Sequence, residues 1–246
     1  MRNRPRSGAN TAPRHPARRQ VGHPVPRPVA RPVACSVDLA CITADRRDLV
    51  VLLLPGGKGA WRLPGAPWRI GASLDDAAGV LARSVFGRDP VWREQVGASA
   101  TGAHPDRAPL SVTFTALLAR GTPAAAVAEA AAWHDVGKLP AGLAPRHRSA
   151  VAAAVAHLRG RMDHVPIAFR LLPNEFTLTD LQQVYELLLG RRLHKASFRR
   201  ALQAAYLVEP TDEWRGEGRG RPAQLFRYAP KRRRGVRRTM RFELLG

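Results

Sequence analysis

The stretch from Phe176 to Tyr228 constrains the fold of this chain more than any other part of its sequence. Apolar residues at helical spacing predict a first helix, and its stripe consists of Leu178, Leu181, Val184, Tyr185 and Leu188. Thr177 is a favourable N-cap, and Asp180 follows three positions later, as in a capping box. Gly190 comes after the last periodic residue and is expected to end the helix.

A second amphipathic segment follows after the basic connection at residues 191–194. Its apolar face is formed by Phe198, Ala201, Leu202 and Ala205, and the opposite face is basic. Two short strands are then predicted at residues 207–209 and 224–228. The loop between them is rich in glycine and arginine, which predicts a hairpin with a cationic tip.

Two helices joined by a turn and followed by a basic hairpin are typical of a winged helix-turn-helix. In such a domain the second helix enters the major groove of double-stranded DNA, and the hairpin tip contacts phosphate or the minor groove. Arginine suits both positions because its fork pairs with guanine edges and with phosphate. The candidate DNA-binding residues are Lys195, Ser197, Arg199, Arg200, Gln203, Arg215, Arg219 and Arg221. The alternative is a small interaction domain whose arginines form a solvated face.

The net charge of +21 is concentrated at the two ends of the 246-residue chain. Residues 1–33 carry eight arginines and no acidic residue, and their Pro/Arg-rich composition predicts a disordered basic arm. Residues 231–246 carry seven basic residues and one acidic residue, which predicts a basic tail. Both ends would add a salt-sensitive attraction to any polyanion that does not depend on its sequence.

Cysteine usage and hydropathy point to a cytoplasmic protein. Cys35 and Cys41 lie an even number of positions apart in a strand-like run, so both thiols are expected to face one core in the reduced state. No apolar run approaches the length of a membrane span, so no membrane partner is expected. The basic N-terminus lacks the apolar segment of a secretory signal.

The middle of the chain predicts a mixed α+β domain. Strands are expected at residues 35–43, 49–54 and 110–118, and a helix capped by Ser73 is expected to end at Gly87. Residues 124–132 are predicted as a helix or an alanine-rich loop. A further alanine-rich helix is predicted from His147 to Arg161. The glycines at residues 56–59 are not a phosphate-binding P-loop because the Gly-Lys-Ser/Thr ending is absent.

Leu63-Pro64-Gly65, a loop and a capped helix that ends at Gly87 together resemble the Nudix box. Aligned on these residues, however, the positions where the Nudix family has its carboxylates hold Ala72, Leu81, Ser84 and Val85. Nudix hydrolysis needs those carboxylates to hold magnesium, which prefers oxygen ligands. Asp75 and Asp76 are expected to interact with the helix N-terminus instead. We therefore expect no catalytic residue, no metal, no cofactor and no enzymatic activity.

The whole order of motifs resembles the Nudix-related transcriptional regulators of NAD metabolism. The matching motifs are Val37-Asp38-Leu39, Glu94-Gln95-Val96, His104-Pro105-Asp106-Arg107, Trp133, Leu139-Pro140 and the Phe176–Tyr228 stretch. The resemblance implies an α+β fold in which a Nudix-type α/β/α sandwich precedes a winged helix-turn-helix. The implied boundaries are 34–146 for the Nudix-like effector domain, 147–163 for a connecting helix and 164–230 for the winged helix.

In this family the Nudix domain binds ADP-ribose or a related NAD metabolite, and binding changes the affinity for operator DNA. The resemblance therefore implies an effector site, for which the candidate residues are Trp61, Arg62, His104 and Arg107. It also implies a homodimer supported by the connecting helix; the alternative is that this helix serves only ordinary core packing. Ser197 departs from the family, which tends to have Asn at the start of the reading helix, so the operator stays open.

Two other functions remain open at this point. The first is a Nudix hydrolase of nucleoside diphosphate derivatives that uses carboxylates outside the box. The second is a non-specific nucleic-acid-binding protein that depends on its basic ends.

Overall fold

The first part of the chain consists mostly of strands with one helix, and the second part is richer in helix. A computed structural model describes residues 33–45, 47–121, 131–216 and 222–230. In chain order the elements are β1 (Cys35–Ala44), β2 (Leu49–Pro55), β3 (Trp61–Arg62), β4 (Gly65–Pro67), α1 (Leu74–Phe86), β5 (Trp92–Ser99), β6 (Leu110–Leu117), β7 (Ala132–Asp135), α2 (Pro145–Arg161), α3 (Ile167–Arg170), β8 (Glu175–Phe176), α4 (Leu178–Leu189), α5 (Lys195–Ala205), β9 (Val208–Arg215) and β10 (Ala223–Tyr228).

The larger sheet is mixed and is built around β1. This strand runs parallel to β6 and antiparallel to both β2 and β4. β5 lies beyond β6, while β3 and β7 both pair with β2. All residues of β1 after Cys35 are buried, as expected of a strand covered on both faces.

Helices cover the two faces of this sheet, and the alternation along β1 decides which residues each helix meets. Leu39 and Cys41 belong to an apolar cluster with α1, whereas Ala40 and Ile42 belong to a second cluster with α2. The predicted α/β/α sandwich is therefore confirmed. Cys35 packs against the same cluster as Cys41, and both are free thiols, as expected.

The second part of the chain is a winged helix. Its small sheet has the order β8-β10-β9, and all of its strands are antiparallel. α4 begins after Thr177 and ends at Gly190, whose φ of 69° is a left-handed conformation that glycine adopts without strain. α5 spans Lys195–Ala205, the same residues as the segment predicted from the sequence.

The winged helix and the sandwich share one hydrophobic core. A single cluster joins Ile42 of the sheet to Val151 and Leu158 of α2 and to Leu181 and Phe198 of the winged helix. The residues that the structure describes, between Val33 and Pro230, form one compact unit. α2 therefore packs on the sandwich along one side and on the winged helix along another.

Some predicted boundaries are wrong. α2 begins at Pro145 rather than His147, because proline is tolerated in the first helical turn, where its missing N–H is not needed. β9 reaches Arg215 rather than Glu209, because it passes through Pro210 at a sheet edge, where proline is tolerated.

Several predictions fall outside the described residues. These concern the basic arm up to residue 32, residues 124–130, the hairpin tip at 217–221 and the tail at 231–246. Ala132, predicted to end the alanine-rich segment, begins β7. Among the helices that the structure describes, none is both long and apolar enough to cross a membrane.

Candidate functional site

Two carboxylates, the partly buried Asp180 and the buried Glu186, hold the two ends of α4. Thr177 and Asp180 form the predicted capping box: the Thr177 N–H donates to Asp180 Oδ2 at 2.9 Å, and the Asp180 N–H donates to Thr177 Oγ1 at 3.1 Å. At the other end of α4, Glu186 accepts the N–H of Leu193 at 2.9 Å and a contact from Arg192 at 3.0 Å. Burial raises the pKa of Glu186, but the bonds from Leu193, Gln182 and Arg192 outweigh it, so the net pKa is lowered.

α5 buries one face and presents the other to solvent. Phe198 and Leu202 are buried in the shared core and orient the helix. The exposed residues of α5 include Lys195, Arg199, Arg200 and Gln203, and Ser197 is half-buried. Ser197 Oγ lies 3.3 Å from His194 Nδ1 at the start of the helix. α5 contains no acidic residue, so its outer face is cationic.

Arg215 does not lie in the hairpin loop where it was predicted. It ends β9, and its Nη2 donates to Asp180 Oδ2 at 2.6 Å. Arg219 and Arg221 lie outside the described residues. Burial raises the pKa of Asp180, but hydrogen bonds from Thr177 and Arg215 outweigh it, so the net pKa lies below its ordinary value. Arg120 of the sandwich approaches the same carboxylate at 3.7 Å.

A cavity of about 430 Å³ lies on the sandwich, where two of the four candidate effector residues meet. Trp61 and Arg62 line it together with Pro105, Asp106 and Gly142. Arg62 Nη1 contacts Asp106 Oδ1 at 3.2 Å. Arg62 Nε is buried and has no hydrogen-bond acceptor among the described residues. Such a donor can take a ligand oxygen as its partner.

The aromatic wall of the cavity rests on His134. The rings of Trp61 and His134 meet edge to face, with centroids 4.5 Å apart. Burial lowers the pKa of His134, so the imidazole favours its neutral form. A planar indole beside a cationic fork is suited to a ligand with an aromatic base and a phosphate.

His104 and Arg107 occupy different positions from those expected of ligand contacts. The side chain of His104 is 1% exposed and does not line the cavity, so its assignment to the effector site stays a prediction from the sequence. Arg107 is exposed next to the cavity loop, but it is not among the residues that line the cavity. Its φ of 55° is unusual for a residue with a side chain, and its N–H bonds to the carbonyl of His104.

His104 instead belongs to a buried cluster with Asp38 and His147, a group of the type that can hold a metal ion. Its Nε2 lies 3.2 Å from each carboxylate oxygen of Asp38 and 3.2 Å from His147 Nε2. Ser36 Oγ donates to Asp38 Oδ1 at 2.8 Å. Burial raises the pKa of Asp38, but the bonds from His147 and Ser36 and the nearby imidazoles outweigh it, so the net pKa is lowered.

Sequence reasoning missed this cluster. The available signal was an aspartate inside the otherwise apolar run of β1, because a buried carboxylate needs partners. The position of the Asp38 side chain also explains why residue 65 is a glycine, because a Cβ there would lie 2.9 Å from Asp38 Oδ1.

Two of the α1 positions where the Nudix family has carboxylates are occupied by residues that pack in the hydrophobic core. Leu81 and Val85 are buried in the cluster between α1 and the sheet, while Ser84 is exposed. Ser73 caps α1 by accepting the N–H of Asp76 at 3.1 Å, as predicted. Asp75 pairs with Arg93 of β5 at 2.8 Å.

Comparison with known proteins agrees with this architecture. Residues 168–228 match the model of the NrtR DNA-binding winged helix domain. The chain is 32% identical over 209 residues to the ADPR responsive transcriptional repressor NtrR of Acinetobacter baylyi, a match covering 79% of this chain and 81% of the relative.

Two solved structures are similar over most of the chain. Shewanella oneidensis NrtR complexed with a 27mer DNA is 28% identical with a TM-score of 0.66, covering 80% of this chain and 94% of that one. A MutT/nudix family protein from Enterococcus faecalis shares the fold, with a TM-score of 0.61, 20% identity, and coverage of 81% and 89% respectively. The chain belongs to the NrtR family of Nudix-related transcriptional regulators.

Proposed function

We propose that this protein regulates transcription by binding operator DNA through α5, and that its Nudix-type domain binds ADP-ribose or a related NAD metabolite. The observation that carries the proposal is the cationic outer face of α5, which is held on a capped and buried helix-turn-helix. The relative from Acinetobacter baylyi is an ADPR responsive repressor, and the similar Shewanella structure was solved with DNA.

The DNA-reading surface consists of α5 and the hairpin that follows it. Arg199 and Arg200 are exposed on α5, and an arginine fork in a major groove reads guanine through two hydrogen bonds. Lys195, Ser197 and Gln203 are the other helix residues that we assign to base or phosphate contacts. Arg219 and Arg221 keep their sequence-based assignment to the hairpin tip. Arg215 is assigned to holding the base of the hairpin through Asp180.

The effector site is the cavity lined by Trp61 and Arg62. The indole offers a flat surface for an adenine, and the buried Arg62 Nε offers a donor for a phosphate or ribose oxygen. Binding a ligand only in the folded state stabilises that state by about 2.7 kcal/mol at one hundred times the dissociation constant. ADP-ribose is therefore expected to raise the melting temperature.

Arg62→Gln tests this assignment, and Arg83→Gln on α1 is the matched control. Both arginines pair with an exposed aspartate within the same domain, but Arg83 lies away from the cavity-lining residues. The thermal shift with ADP-ribose should decline in the first variant and persist in the second. Equal shifts in both variants would place the ligand elsewhere.

We further propose that the Nudix-type domain does not hydrolyse its ligand. The box positions hold Ala72, Leu81, Ser84 and Val85, which supply no carboxylate for magnesium. Incubation with ADP-ribose and magnesium should release no AMP above a metal-free control. Release of AMP would support the alternative of a hydrolase with carboxylates outside the box.

A homodimer is the form in which we expect the protein to read DNA. Dimeric helix-turn-helix proteins place two reading helices on half-sites about one helical turn apart. Sedimentation of the protein with and without duplex tests this expectation, and a monomeric complex would contradict it.

A further inference from the structure

We propose that α2 links the effector cavity to the reading helices, with its first turn bonded to the cavity loop and its last turns bonded to the C-terminus of α4. The proposal deepens the proposed function and rests on it, since it concerns how occupancy of one site reaches the other. Loop 100–108, between β5 and β6, is called the cavity loop because it carries Pro105 and Asp106 of the cavity wall.

Arg146 binds the cavity loop to the first turn of α2. Its side chain is buried and donates to the carbonyls of Ala100, Thr101, Gly102 and Ala108 at 2.5–3.1 Å. The Arg146 N–H donates in turn to the carbonyl of Ala103 at 3.2 Å. Gly102 has a φ of 77°, and a Cβ there would lie 3.3 Å from Arg146 N. The loop backbone is thus shaped around this one side chain.

The buried cluster of Asp38, His104 and His147 fixes the same loop a second time. His147 Nδ1 accepts the N–H of Leu63 at 3.0 Å, and His104 Nδ1 accepts the N–H of Asp106 at 3.2 Å. A neutral imidazole that accepts at Nδ1 carries its proton on Nε2. With that tautomer, the Nε2 atoms of His104 and His147 carry protons and lie 3.2 and 3.5 Å from Asp38 Oδ2, so the carboxylate joins α2 and the loop to β1.

The polarity of these bonds argues that the cluster is a hydrogen-bonded clasp rather than a metal centre. A metal-bound histidine normally donates its second N–H to a carbonyl or a carboxylate. Here both Nδ1 atoms face backbone N–H donors instead. A metal bound at both Nε2 atoms would displace their protons. Each ring would then either carry no proton at all or take one on Nδ1, which would break its bond with the backbone N–H.

The cavity loop connects this clasp to the ligand-binding wall. Asp106, whose N–H bonds to His104, pairs through its carboxylate with Arg62. A ligand phosphate that engages Arg62 competes with Asp106 for the same guanidinium. The loop is thereby the first element to sense occupancy of the cavity.

The far end of α2 is bonded to the helix-turn-helix. Arg159 Nε donates to the carbonyl of Leu188 at 2.7 Å, in the last turn of α4. A cation is favourable there because the last carbonyls of a helix carry partial negative charge. The Arg159 guanidinium also lies 3.5 Å from the position of a Cβ on Gly190, which begins the turn into α5. A displacement of α2 would therefore reach the turn that positions the reading helix.

Thermodynamic reciprocity supplies a test that needs no effector. If the cavity loop and α5 are coupled, binding DNA must change the loop as ligand changes DNA affinity. Hydrogen exchange of residues 100–108 is measured with and without a duplex that the protein itself selects from a random library. In the wild type, the duplex should change exchange by about fivefold or more, the lower end of ordinary allosteric coupling.

Arg159→Met should abolish this response because it keeps the unbranched apolar part of the side chain but removes the guanidinium and its bond to Leu188. Arg161→Met is the matched control: it lies on the same helix but pairs with Glu94 of β5. It should respond as the wild type does. No change in the wild type, or equal changes in all three proteins, would overturn the coupling. Failure of ADP-ribose to raise the melting temperature would count against the proposed ligand alone.

The clasp is tested separately with zinc. Equimolar zinc should leave the melting temperature of the wild type unchanged. A rise of several degrees that His104→Asn removes would overturn the clasp and establish a metal site.

Discussion

α1 and α5 are helices of similar length that lie in the two functional parts of the molecule, and they differ in what their exposed faces carry. α1 buries Leu81 and Val85 against the sheet, and α5 buries Phe198 and Leu202 in the shared core. The exposed side of α1 carries both acidic and basic residues, namely Asp75, Asp76 and Arg83, together with Val80 and Ser84. The exposed side of α5 carries Lys195, Arg199, Arg200 and Gln203. The buried faces are enough to build both domains. α1 lacks the carboxylates of a Nudix box, and its exposed charges have both signs, whereas the exposed charges of α5 are all cationic.

Placing a carboxylate in the buried face of α1 should have the largest effect. Val85 is 2% exposed, so Val85→Glu should lower the free energy of unfolding by roughly 3–5 kcal/mol, the cost of an unpaired buried charge. Ser84→Glu, at an adjacent exposed box position, should stay within about 0.5 kcal/mol of the wild type. Urea denaturation measures both. A small loss in Val85→Glu would mean that position 85 opens to solvent, as a metal ligand would.

Asp180 should matter nearly as much, because it joins the cap of α4 to Arg215. Asp180→Asn should cost roughly 1.5–3 kcal/mol at neutral pH, as expected for a hydrogen bond to a charged group. The folded pKa of Asp180 is lowered, so its stabilisation is complete above the unfolded value of about 3.9 and is lost as the pH falls through the folded pKa. The stability difference between wild type and variant should therefore narrow in acid. A difference that does not change with pH would exclude an ionic role.

On α5, the exposed arginines should matter for DNA and not for folding. Arg199→Ala and Arg200→Ala should each weaken operator binding by roughly 1–3 kcal/mol if the residue reads a guanine. Neither should change the melting temperature appreciably, because both side chains are solvent-exposed. Arg83→Ala on α1 is the control and should leave DNA binding unchanged. Equal losses for Arg83 and Arg199 would mean that bulk charge, and not position, governs affinity.

The smallest effect is expected at the cap of α1. Ser73 accepts one N–H at an exposed helix end, so Ser73→Ala should cost about 1 kcal/mol. DNA affinity should not change. If Ser73→Ala lowered the free energy of unfolding more than Asp180→Asn does, the cap of α1 would be more important for stability than the cap of α4, contrary to what the structure implies.

Features that depend on a short stretch of sequence could be predicted. The limits of α5 follow from its apolar spacing, and the capping box of α4 is visible as Thr177 followed by Asp180. The clasp could not be predicted, because Asp38, His104 and His147 are separated by 66 and 43 positions and meet only in the folded sandwich. Arg215 was wrongly predicted to lie in the hairpin loop because the strand was expected to end before Pro210. β9 continues past Pro210 since it lies at the edge of the small sheet, and the order of strands in a sheet cannot be read from one segment.

The claim that specificity lies in α5 and not in the basic ends is tested most directly by one set of titrations. Binding to the selected operator and to a scrambled duplex is measured at several salt concentrations for two proteins. One carries Arg199→Ala and Arg200→Ala, and the other lacks residues 1–32 and 231–246. The account predicts that the α5 variant loses discrimination between the duplexes. The truncated protein should bind both more weakly, keep its preference, and show a salt slope lowered by about one for each phosphate that it no longer neutralises. Loss of discrimination on truncation, with the α5 variant unaffected, would contradict it.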